Sequence, residues 1–114
     1  MTDTDRIRCF HVHVYFDEKT HETARRVCHA VKTQFGVPMG HMHVKPVGPH
    51  PMGSCQLTIP ADQFGAVLSW LALNREGLTV FSHPDTGEDL LDHRDRAIWM
   101  GEMKTLDLSL FSSE

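Results

Sequence analysis

The stretch "CFHVHVYF" (Cys9–Phe16) decides how the chain is read. Its residues alternate strictly and include β-branched and aromatic types, the pattern of a strand with two different faces. Val12, Val14 and Phe16 point one way, and His11, His13 and Tyr15 point the other. A strand that is apolar on one face needs a layer to cover it, and the next segment supplies one. "THETARRVCHAVKTQFG" (Thr20–Gly36) spaces Ala24, Val27, Cys28, Val31 and Phe35 as a helical stripe. Thr20 is the expected N-cap, and Gly36 is the expected stop.

Further along, "MGHMHVKPV" alternates again, with Met42 and Val44 expected inward and His41, His43 and Lys45 outward. Pro46 suits an edge position or the end of that strand. "SCQLTI" is a third strand, and "PADQFGAVLSWLALNREG" is a second helix with Phe64, Val67, Leu68 and Leu71 on its apolar side and Gly77 as its stop. "LTVFSH" (Leu78–His83) is a fourth strand. "PDTGEDLLDHRDR" is rich in turn-forming and charged residues and reads as an ordered loop. "AIWMG" reads as a short extra strand, and "LDLSLFSSE" is ambiguous.

The order is β-α-β-β-α-β, which predicts an α+β, ferredoxin-like fold: an antiparallel sheet in the order 4-1-3-2 with two helices on one face. The opposite face, carrying His11, His13 and Tyr15, is then expected to be open. At 114 residues the chain is sized for one domain, with a core over about residues 8–110.

Composition narrows the function. The net charge of -4 offers no basic footprint for nucleic acid. The polar start "MTDTDRIRC" is not a signal peptide, and no apolar stretch approaches the roughly 18 residues of a membrane span. Three cysteines without a CxxC spacing fit reduced thiols in a cytoplasmic protein. No phosphate loop, dinucleotide fingerprint or nucleophile elbow occurs.

Nine histidines against eleven Lys and Arg are the unusual feature. His13 lies on the open face of the central strand. His83 ends the fourth strand, which neighbours it. His50, in "GPHPMG", sits in a proline-stiffened loop entering the third strand, the other neighbour. Topology therefore directs three imidazoles to one surface, and imidazole is a common zinc and iron ligand. His93 in "DHRD" is either a solvated loop residue or an acid/base near that site. Asp85, Asp92 and Glu102 are the acids available to complete a 2-His-1-carboxylate set, and their spacing does not choose among them. Trp99 either lines a pocket or covers the sheet edge. His41 and His43, with His21 and His29, read as exposed surface residues.

Six short pieces in order resemble the DOPA 4,5-dioxygenase family. They are "HVYF" (His13–Phe16), "GPHP" (Gly48–Pro51), "WLALNR" (Trp70–Arg75), "HPDTG" (His83–Gly87), "DH" (Asp92–His93) and "AIWMG" (Ala97–Gly101). The resemblance implies extradiol cleavage of a catechol such as DOPA by O2, giving a muconic semialdehyde. Fe(II) is the implied metal, with Zn(II) as another ion a three-histidine site could hold. By motif position, the metal-ligand roles go to His13, His50 and His83. His93 takes an acid/base role, and His50 is alternatively a contact to a catecholate oxygen. His11, Tyr15 and Trp99 are expected to contact the substrate. The other reading is a non-catalytic metal- or small-ligand-binding protein on the same scaffold. In either case a homodimer paired through the open sheet face is expected.

Overall fold

The computed structural model describes residues 3–111. Four strands form one antiparallel sheet: β1 (Cys9–Phe16), β2 (Gly53–Ile59), β3 (Val80–Asp85) and β4 (Ile98–Met100), in the order β2-β1-β3-β4. The fold class is the α+β, ferredoxin-like one that the alternation predicts. α1 (His21–Phe35) follows β1, and α2 (Phe64–Asn74) follows β2. Gly36 closes α1 in the left-handed region, its N–H bonded to Lys32 O. Thr20 stands at the N-cap position but bonds Asp17 in place of the helix.

One sheet face carries the apolar core. Val12, Val14, Phe16, Cys55, Leu57, Ile59 and Val80 pack against Ala24, Val27, Cys28 and Val31 of α1 and Val67 and Leu71 of α2. Removing these surfaces from water drives the layers together. Phe10 and Phe64 stack at 3.7 Å between ring centroids where β1 meets α2.

The structure departs from the sequence reading in four places. The segment read as the second strand runs beside β2, where the expected order puts it, but pairs with it through isolated bridges, Met39 to Leu57 and His43 to Ser54, and not as a continuous ladder. Pro38 and Pro46 lack the N–H a continuous ladder requires. Val44, expected inward, is therefore exposed. The second helix begins as a 3-10 turn (Ala61–Gln63) and ends at Asn74, because Glu76 and Gly77 both adopt positive φ. The segment after β3 is not merely a loop, since it forms a short helix, α3 (Asp89–Arg94).

The fourth departure concerns the face expected to be open. Tyr15, Phe81, His13 and His83 on that face are buried. The loop holding His50, α3 and the chain up to Phe111 cover it: Asp107 N–H bonds Pro49 O at 2.9 Å, and Phe111 stacks on His93. A second copy approaching here would meet this cover and not a bare sheet. Among the described residues, no helix is long and apolar enough to cross a membrane.

Candidate functional site

Strand register assembles the histidines. On β1 and β3, His11 pairs with His83 and His13 with Phe81, so all four side chains share the second face. Phe81 pairs in turn with Trp99 of β4, and the two rings stack at 4.6 Å. On the other side, Tyr15, His13 and His11 face Ser54, Gln56 and Thr58 of β2. The sequence reading overlooked this polar alternation of β2, although its period-two pattern matches that of β1.

His13 Nε2 lies 3.2 Å from His83 Nε2, deep under the cover. With His11 they form a group whose ligating nitrogens all fall within 4.8 Å of one another. The geometry thus brings His13 and His83 together with His11. His50 stands on the other side of His13, their rings 4.2 Å apart. Its Nδ1 is 2.8 Å from the Tyr15 hydroxyl.

The protonation pattern follows from these contacts. His83 Nδ1 donates to Pro84 O at 2.8 Å, which leaves its Nε2 with the lone pair, aimed at His13. Burial lowers the pKa of His83 to about 4, helped by the neighbouring His93. His50 falls to about 4 for the same main reason, with His93 and His43 adding to it. His13 is held well below its ordinary value by burial, then by His50 and His83. Burial also lowers His11, against the pull of Asp85. These imidazoles are neutral at pH 7 and can act as ligands or bases. Burial pushes the Tyr15 phenol up, so it stays protonated, and its oxygen can accept from His50 Nδ1–H.

The remaining candidates take distinct places. The His93 ring is 4.0 Å from that of His83, and its Nδ1 donates to Asp89 O, leaving Nε2 free of that bond. Asp92 is buried, and its oxygens accept from Thr86 N–H and Oγ1 and from Arg96. Burial alone would raise its pKa; the Thr86 and Arg96 contacts more than reverse that. Asp92 therefore clamps the turn before α3. Glu102 is exposed and paired with Lys104. Asp85 is the acid beside the cluster: with Cys9 and His11 it forms a second group of ligating atoms within 4.8 Å. Trp99 reaches Tyr15 edge-on at 6.1 Å, walling the site on the β4 side.

A cavity of about 330 Å³ opens between β2 and the segment 38–47, with His13 and His50 in its lining. His41, exposed as the sequence predicts, and the half-buried His43 line it too. Their place was not legible because the bridge His43–Ser54 that folds the segment over β2 is a tertiary contact.

Residues 10–110 of this histidine-rich sheet match the model of the Dopa 4,5-dioxygenase family. The chain belongs to that family. Within it, the chain is 36% identical over 112 residues to a DOPA 4,5-dioxygenase of Amanita muscaria, covering 90% of this chain and 49% of the relative. It is 37% identical over 113 residues to an uncharacterised 21.2 kDa protein of Botryotinia fuckeliana, covering 89% of this chain and 62% of that one. The chain thus spans about half to three-fifths of the length of these curated relatives. A crystal structure from Nostoc punctiforme, described as a presumptive dioxygenase, superposes with a TM-score of 0.81 at 39% identity, covering 95% of this chain and 94% of that one.

Proposed function

We propose that this family member is a metal-dependent extradiol dioxygenase that opens the ring of a catechol such as DOPA with O2. The observation that carries this reading is the group of neutral imidazoles, His11, His13 and His83, next to a cavity of single-ring size. The donor set suits a metal ion. Two nitrogens bound to one ion at about 2.1 Å stand roughly 2.9–3.4 Å apart, and His13 and His83 stand at 3.2 Å. His11, His13 and His83 would hold the ion, with Asp85 the nearest carboxylate to complete a facial set. Fe(II) is the metal proposed, and Zn(II) a competing ion for the same imidazoles. When bound, such an iron supplies a Lewis acid for the diol and the redox chemistry that lets O2 react.

The chain's own groups do the rest. Pro84 O holds His83 in the tautomer that presents Nε2. His50 Nδ1–H donates to the Tyr15 hydroxyl oxygen, which leaves His50 Nε2 with the lone pair, the base for a catechol proton at the cavity side. His93, oriented by Asp89 O, is placed to hand a proton back. Phe81, Trp99 and Phe111 keep water from the far side of the cluster.

The test is direct. Protein loaded with Fe(II) without air and given DOPA should consume O2 on aeration and form a yellow ring-opened product. Iron-loaded protein that opens no ring across a panel of catechols would overturn the reading. Tight stoichiometric binding without turnover would instead support the ligand-binding alternative.

A further inference from the structure

We propose that His41 and His43 form a subsite for a carboxylate on the side chain of the catechol. This rests on reading the cavity next to His13 and His50 as the seat of the diol ring.

Four observations carry it. First, His13, His50, His41 and His43 all line the one cavity, and its volume of about 330 Å³ sits at the small end of small-molecule sites, which run from about 300 Å³ upward. A single ring with a short side chain fits, so a substituent on a ring held near His13 has the exposed His41 and the half-buried His43 on the lining of the same open cavity. Second, no Asp, Glu, Lys or Arg lines this cavity, in a chain whose acids outnumber its bases. An ammonium group would find no carboxylate there. A carboxylate would find imidazole N–H donors and the amide of Gln56.

Third, the two imidazoles are available. Their rings meet edge-on at 4.8 Å, and among the described residues neither side chain makes a hydrogen bond. They do not fall within either potential metal-binding group found among those residues. Fourth, the segment is held in place by its backbone. His43 exchanges two 3.0 Å hydrogen bonds with Ser54, and Gly40 N–H bonds Gln56 O at 2.8 Å. At Gly40 even a Cβ would stand 3.2 Å from Gln56 O, so this close approach suits glycine. Donors on a tethered segment are pre-organised for their ligand.

The experiment measures binding to iron-loaded protein under nitrogen by calorimetry, with three catechols: 3,4-dihydroxyphenylpropanoate, dopamine and 4-ethylcatechol. The wild type should bind the acid at least tenfold more tightly than the other two. The double variant His41→Ala, His43→Ala should bring the ratio near one, and His41→Asn, His43→Gln should restore part of it, with iron content and melting temperature as controls for folding. Equal affinities in the wild type, or an equal loss for all three ligands in the double variant, would overturn the subsite. Aeration of the same samples separates the two readings. A preference for the acid without ring opening upholds the subsite and removes the dioxygenase, whereas ring opening without the preference does the reverse.

Discussion

His83 is held between an acceptor and a neighbour of its own kind: its Nδ1–H is committed to Pro84 O, and its Nε2 faces His13 at 3.2 Å. The sequence alone marks His83 as a strand-end histidine. Its tautomer follows only from the backbone carbonyl beside it. His83→Ala should therefore lower bound iron at least tenfold in elemental analysis. His50→Ala should keep the metal and lose turnover, since His50 stands outside the group of ligating nitrogens formed by His11, His13 and His83. Metal lost from His50→Ala would return His50 to the ligand set.

The same burial makes a prediction about pH. His50 and His83 titrate at about 4 in the folded chain, below the ordinary 6.5, and His13 is depressed as well. Below about 6.5 the unfolded chain thus binds more protons than the folded one, and stability must fall as pH falls. Melting curves of metal-free protein should show the melting temperature dropping from pH 6.5 to pH 5. A flat profile over that window would contradict the buried, neutral state of the cluster.

Among the elements, β1 was legible because eight residues alternate without interruption, and α1 because its stripe ends on a glycine. The segment 38–47 alternates equally well, yet its prolines leave isolated bridges and not a continuous ladder. Gly53 lets that segment lie close. A Cβ there would stand 3.0 Å from His43 O, Phe16 O and the Phe16 ring. Two of these are backbone atoms that cannot rotate aside, so Gly53→Ala should cost about 1–3 kcal/mol in urea denaturation. α3 was missed because six residues carry too little periodicity to stand out, and its anchor is tertiary. Asp92 ties α3 to Thr86 and Arg96. Asp92→Ala leaves the Thr86 N–H without that acceptor and should cost about 2 kcal/mol. Because His93 rides on α3, its contact with His83 should loosen as well, and turnover should fall further than metal content.

At the scale of the whole molecule, the sheet separates two kinds of burial. The helix side is apolar, and Leu57→Ala there should cost about 2–5 kcal/mol by leaving a cavity. The other side buries imidazoles whose nitrogens could hold a metal ion. An ion held by His11 and His13 of β1 and His83 of β3, as proposed, would link two strands in the folded chain alone. Metal should therefore raise the melting temperature in proportion to the logarithm of its concentration. Measured by thermal scans with Fe(II) under nitrogen or with Zn(II), this shift should vanish in His13→Ala.

What the sequence determined by itself was the layer pattern. Alternation and the 3.6-residue stripe state which side of each element must be buried, and together with the order of the elements they predict an antiparallel sheet under two helices. It also named His13, His50 and His83 as residues that topology could gather. Only the tertiary structure decided that His11 joins His13 and His83, because strand register is a relation between segments distant in sequence. Only it showed that Asp92 spends its oxygens on Thr86 and Arg96, and that His41 and His43 face a cavity. Periodicity records the face a side chain takes, whereas the neighbours on that face depend on how the elements dock.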